Sequence, residues 1–274
     1  MSLLSLEARS AVNKLGFGGT ELRLLWNFLK MDVRDKYVGS SLGSVWAVAN
    51  PLLLLTIFTF VFGFVYRVRL PGAETTLSYA IWLISGYGPW LATTEAIMAA
   101  TMSLVAASGL TKNMAFKAEV VPIAAALTGI LPLAVSSCLL AVLLFVDGNA
   151  LYWHALFVIV IAVLQFAFIS ALGLFLALAT VFVRDLGIAL PNLLTIVLFA
   201  TPIFYPIESM PRVMQWVSRF NPFYIISESY RQSLIYHHAP GIFGLIYLCA
   251  LAALLGVSGL KMFRRLKGYL EARL

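Results

Sequence analysis

Ionisable side chains that could do chemistry are scarce in this chain and stand apart from one another. Glu95 sits alone in a long apolar run, next to Thr93 and Thr94. A carboxyl in such a place is costly to bury. It marks either a functional group or a structural one, protonated or held by hydrogen bonds to Thr93, Thr94 or a neighbouring helix. Glu228 and Arg231 are three residues apart, the spacing at which two side chains meet on one helix face. Local neutralisation is the first reading of that pair and a substrate contact the second. His237-His238 has no evident third ligand and reads as interfacial, not metal-binding. No G-x-x-x-x-G-K-[ST] loop occurs, so the usual backbone cradle for nucleotide phosphates is missing from the sequence. No catalytic residue and no metal site is predicted.

The elements that must position these groups are six apolar runs, at about 42–65, 78–107, 120–146, 155–183, 186–207 and 239–260. At a rise of about 1.5 Å per residue, about 20 residues cross a hydrocarbon core of about 30 Å, and all six pass that test. A composition of 61% hydrophobic and 11% charged residues excludes a soluble domain. Continuous runs, instead of alternation over about ten residues, exclude a barrel. The expected fold is an all-α integral membrane protein. Its cytoplasmic N-terminus covers 1–41, its six-helix transmembrane domain 42–260 and its basic cytoplasmic tail 261–274. Cys138 and Cys249 both fall within spans and read as packing residues. No short basic segment and apolar core with a cleavage site opens the chain, so the N-terminus is expected to be retained.

Basic residues fix the orientation. With both termini inside, cytoplasmic segments hold fourteen of the nineteen Lys and Arg residues, which gives an N-in, C-in protein. The net charge of +7 is then explained by juxtamembrane segments beside anionic lipid, without nucleic acid.

Two regions are neither spans nor simple loops. Within residues 21–37, Leu22, Leu25, Trp26, Leu29 and Val33 recur at helical spacing, with Arg23, Asn27, Lys30 and Arg34 on another face, as in an amphipathic helix lying in the cytoplasmic interface. Thr20 suits its N-cap. Within residues 208–238, Val213, Trp216, Val217 and Phe220 have helical spacing, and Asn221-Pro222 breaks the chain before a second short helix. Two short helices on the outer side are predicted. In the first run, Phe58, Phe62 and Tyr66 line one helix face, with Phe60 and Phe64 on a second. Stacking on sugar rings and packing against lipid or helices are both open readings. Gly39-x-x-x-Gly43 could serve either close helix approach or a turn into the membrane.

The stretch from Lys36-Tyr37 through Ser40, Leu42-Gly43 and Trp46 to Pro51-Leu52 resembles the [KR]-Y-x-x-S-x-L-G-x-x-W-x(4)-P-L signature of type-2 ABC exporter permeases that move O-antigen, capsule or teichoic acid polysaccharides. Arg184-Asp185, the stretch 201–206, and Asn221-Pro222 with Glu228-x-Tyr230-Arg231 match in order, so the resemblance covers nearly the whole chain. Two positions depart from it. Met31-Asp32 stands where the family often has Arg-Asp, and Phe116-Lys117 where it often has Phe-Pro.

The resemblance implies the permease subunit of an ATP-driven exporter in the bacterial inner membrane. It implies a homodimer with two copies of a separate subunit that holds ATP and Mg, and a lipid-linked polysaccharide as substrate. It extends to the residues. Phe58, Phe62, Tyr66, Phe204 and Tyr205 are implied in the substrate channel, and Asn221, Pro222, Tyr224, Glu228 and Arg231 in a periplasmic gate. Trp26, Arg34, Lys36, Tyr37, Lys112, Phe116 and Lys117 are implied in coupling to the ATP-binding subunit. A secondary transporter of a small amphiphile would show paired interrupted helices or a repeated half, which are missing. A membrane-embedded lipid-sugar enzyme would need a surface cluster of Asp, His or Arg, which is also missing.

Overall fold

The computed structural model describes residues 19–35, 41–66, 75–107, 118–148 and 152–273. Among them the chain is helical and has no strand. The amphipathic segment forms α1, Gly19–Asp35. A 3-10 turn, Gly43–Val45, leads into α2, Trp46–Phe58, which continues as a π-helix over Thr59–Val65. Gly43 has φ of +50°, a conformation that side-chain-bearing residues rarely adopt, so this glycine serves the turn.

The next elements are α3, Thr76–Ala106, and α4, Val120–Ala126, which passes through a 3-10 turn into α5, Ile130–Val146. Then come α6, Phe157–Phe182, and α7, Asp185–Ala200. Two short helices follow, α8, Arg212–Ser218, and α9, Pro222–Leu234. The last element is α10, Ile242–Arg273.

Among the described residues, four helical stretches are long and apolar enough to cross a membrane: Trp46–Val65, Val120–Val146, Trp153–Phe182 and Ile242–Leu266. Two expected spans differ from these, each for a physical reason. Helix α3 is long enough but carries Ser, Thr, Gly and Glu95. It forms the middle of the bundle, with every residue over 79–90 buried, so protein and not lipid surrounds those residues. Helix α7 stops at Ala200 and not at residue 207, because neither Pro202 nor Pro206 can donate the backbone bond that would continue it. Helix α10 runs on through the basic segment expected as the tail, to Arg273.

Close approach to α3 depends on missing side chains. A Cβ on Gly88 would stand 2.6 Å from Ser136 of α5, and one on Gly173 of α6 would stand 2.7 Å from Ala100. Pro89 interrupts the α3 ladder, and the fully buried Gln165 of α6 meets it there. Its Nε2 donates to the Pro89 carbonyl at 2.9 Å and to Thr93 Oγ1 at 3.0 Å, while its Oε1 accepts from Tyr230 Oη at 2.9 Å. One side chain thus ties α3, α6 and α9 together. Gln165→Leu should leave the Tyr230 hydroxyl unmatched and cost about 1–3 kcal/mol. A lowered melting temperature in detergent is the expected result. An unchanged one would show that these groups find other partners.

At the end of the bundle where α1 lies, a second core joins α1, α3, α4, α6 and α10 through Phe28, Leu104, Val120, Val121, Leu178 and Phe263. Glu119 lies 4.0 Å from Arg264 across the same end. Helix α1 docks by Phe28, with Leu24 and Leu25 packed beside it. Trp26, expected on the apolar face, is 57% exposed, and the Lys30 ammonium lies 5.0 Å from its ring centre. The helix therefore has a bundle side and a second, aromatic side.

Candidate transport path and its supporting turn

Two aromatic rows run along the end of α2 and its π turn. Phe58, Phe62 and Tyr66 form the first, with successive ring centres 6.1 and 5.8 Å apart. Phe60 and Phe64 form the second, 5.6 Å apart. The wider π turn carries both rows past Tyr79, whose Cδ1 lies 3.0 Å from where a Cβ on Gly63 would stand. The second row faces an opening of about 500 Å³ between α2, α3 and α5, which Thr59 and Leu143 also line.

The first row is mounted on Phe204. Phe58 and Phe62 each stack on that ring at 4.8 Å, and Phe58 meets Tyr87 edge-on at 4.8 Å. Phe204, expected on the channel surface, is only 1% exposed and so forms the base beneath the row. Tyr205 is half-buried and donates its hydroxyl proton to the Phe199 carbonyl at 2.8 Å. Tyr66, at 69% exposure, is the most open member. Tyr66 and the partly exposed Phe62 are thus the open side of the first row, with Phe204 buried behind it.

The segment between α7 and α10 has two unlike halves. In α8, Val213, Met214, Trp216 and Val217 are exposed, as is Phe220 just beyond it. Helix α9 is capped by Asn221, whose Oδ1 accepts from the Phe223 amide at 3.0 Å and whose Nδ2 donates to Thr201 Oγ1 at 2.8 Å. Pro222 occupies the first turn, where its missing N–H leaves no helix bond unmade. Tyr224 is half-buried. The Glu228 and Arg231 side chains approach to 3.6 Å, as their spacing predicts. Burial raises the Glu228 carboxyl above the ordinary carboxylate range, against the opposing pull of the Arg231 charge.

Arg231, expected at the working surface of this segment, is instead 1% exposed. Its Nη1 donates to the Pro202 carbonyl at 3.3 Å and its Nη2 to the Ile203 carbonyl at 2.6 Å. The guanidinium lies 3.7 Å from the centre of the Trp82 ring. Trp82 Nε1 in turn donates to Tyr236 Oη at 3.1 Å.

Of the remaining candidates, Glu95 lines a cleft of about 190 Å³ with Asn50, Thr94, Met98 and Pro132. The Thr93 and Thr94 hydroxyls donate to carbonyls of their own helix, at Pro89 and Trp90. His237 has φ of +54°, and its ring centre lies 4.3 Å from that of Tyr152. Arg34 is exposed on α1, whereas Lys36, Tyr37, Lys112, Phe116 and Lys117 lie outside the described residues. Gln165, Trp82 and Gly86 do not stand out in the sequence pattern. A lone Gln in an apolar run is legible by the logic applied to Glu95, but a glycine making room for a distant arginine leaves no local trace.

The described residues form a helical membrane protein whose bundle is tied by buried polar groups and carries an aromatic face. The family described as "ABC-2 type transporter" matches residues 23–235, and this chain belongs to it. It is thus a multi-pass membrane protein of a family whose members act with an ATP-binding partner in an ABC transporter. Relatives similar over most of their length carry the name O-antigen export system permease protein RfbA. The protein from Myxococcus xanthus is 26% identical over 85% of this chain and 88% of its own length. One from Klebsiella pneumoniae is 28% identical over 86% and 89%.

Proposed function

We propose that this chain is the permease subunit of an exporter that moves a lipid-linked polysaccharide, an O-antigen first among them, across the bacterial inner membrane. Near-complete alignment with two O-antigen export permeases carries this reading. In the assembly two copies of the chain pair, and each engages one copy of a cytoplasmic subunit that binds and hydrolyses ATP with Mg. The chain crosses the membrane six times with both termini inside. Helix α3 counts as a span because its neighbours shield its polar residues, and α7 counts with the turn that follows it.

In this reading the polymer passes along Phe62, Tyr66 and Tyr205. Flat rings stack on the C–H faces of sugars without demanding one hydrogen-bond register, which suits a sliding chain. Residues 208–236 act as the external gate. Trp26, exposed on α1, and the segment 111–119 form the dock for the ATP-binding subunit, an aromatic anchor with a charged rim.

The test is co-expression with the candidate ATP-binding subunit in cells that make the polymer but lack its exporter. Surface polymer and a stable complex of the two subunits are expected, and export without the second subunit would remove the proposal. Reversing the charges of Lys112 and Lys117 together should weaken the complex or uncouple hydrolysis from export, with membrane insertion intact. Unchanged pull-down and unchanged polymer-stimulated hydrolysis would put the dock elsewhere.

A further inference from the structure

The turn that ends α7 needs hydrogen-bond donors from outside itself. In a continuing helix the Pro202 carbonyl would accept from residue 206, but residue 206 is proline and has no N–H. The chain instead bends through residues 201–205, and the carbonyls of Pro202 and Ile203 are left to find other donors. A buried, unmatched carbonyl is costly, more so where water is scarce. Arg231 of α9 meets both carbonyls with the two terminal nitrogens of one guanidinium, at 3.3 and 2.6 Å.

The site is built around that guanidinium. The Trp82 ring covers it at 3.7 Å, Glu228 balances the charge from 3.6 Å, and Gly86 lies against Nη2. A Cβ on Gly86 would collide with Nη2, Cζ and Nε of Arg231, so only glycine fits there with the arginine in place. Ser227 and Tyr79 add flanking bonds. The Ser227 hydroxyl donates to the Gly86 carbonyl at 3.1 Å, and the Tyr79 hydroxyl to the Phe204 carbonyl at 3.2 Å.

We infer that Arg231 is a positioning residue that locks the 201–205 turn between α3 and α9, and so sets the height of Phe204 under the Phe58 and Phe62 aromatic wall. The two carbonyls it holds belong to the residues just before Phe204, and Phe204 carries both phenylalanines at 4.8 Å. A shift of the turn therefore passes to the wall through direct contacts. The inference rests on the proposed polysaccharide path and adds a division of labour. Helix α9 is the fixed part of the gate segment, and motion belongs to the half that precedes Asn221.

Because removing a buried charge can prevent folding, the test uses graded variants. Arg231→Lys keeps the charge but cannot span both carbonyls. Gly86→Ala keeps every bonding group and displaces the guanidinium. Each is made alone and together with Phe204→Leu, and polymer export is measured per assembled complex in the membrane. Export should fall by about fivefold or more for Arg231→Lys and for Gly86→Ala, and each should lose much less in the Phe204→Leu background, where the wall is already unsupported. A merely structural role would lower the amount of complex and leave the losses multiplicative. Multiplicative losses, or normal export in Gly86→Ala, would overturn the assignment. Failure of the unsubstituted protein to export polysaccharide would instead overturn the function on which it rests.

Discussion

Replacing Phe58, Phe62 and Tyr66 together by Leu should, on the proposed path, lower polymer export by about tenfold or more, at about 0.5–1.5 kcal/mol for each aromatic contact. Leucine keeps these positions apolar, so helix insertion is retained while the flat faces vanish. The three positions do not contribute alike. Tyr66 is open, and its loss reads as lost contact with the chain in transit. Phe58 is braced by Tyr87 and Phe204, so its loss reads mainly as a wall that no longer holds its place. The single variants should therefore separate. Tyr66→Leu slows export with complex stability unchanged, whereas Phe58→Leu lowers both. Export at the normal rate in the triple variant, at equal complex abundance, would show that the polymer does not run along this face.

The difference between Tyr66 and Phe58 cannot be read from the sequence, although the row itself can. Spacing at i, i+4 and i+8 puts three rings on one face whatever lies opposite, and only the fold brings Phe204 beneath two of them. The π turn over Thr59–Val65 is equally hidden, since no proline or charge marks it. Apolar run lengths, by contrast, locate the long helices well, because crossing hydrocarbon demands that length of any sequence. They do not tell whether lipid or protein is the neighbour. Helix α3 can be more polar than its fellows because it is shielded, and Gln165 is tolerated because Pro89, Thr93 and Tyr230 surround it. The pairing of Glu228 with Arg231 follows from their spacing. Its burial does not, because the carbonyl that holds Arg231 most closely comes from a turn 28 residues earlier in the chain.

That buried pairing changes what an external gate can be. The sequence pattern treats residues 208–236 as one unit, yet the two halves are held by unequal contacts. Helix α9 is tied to α3 and to the α7 turn by Arg231, Ser227 and Asn221, and to α6 by Tyr230. The α8 half rests largely on its own surroundings. Gln215 donates to the Met210 carbonyl at 2.8 Å, and Tyr247 of α10 donates to the Phe220 carbonyl at 3.1 Å. A sealed path that opens for a wide polymer should therefore open by swinging α8 about Asn221-Pro222, with α9 as the stationary hinge post. Two cysteine pairs separate the alternatives in a background with Cys138 and Cys249 replaced by Ala. Phe220→Cys with Tyr247→Cys ties the α8 half to α10. Ile225→Cys with Gly244→Cys ties α9 to α10 where the two helices already touch, a Cβ on Gly244 standing 2.9 Å from Ile225. Joined by a disulfide-containing bismaleimide, the first pair should stop export and release it on reduction, while the second should leave export intact. Block by both links would mean that the whole segment moves as one. Full export through both, with linkage verified, would mean that the segment covers the path without gating it.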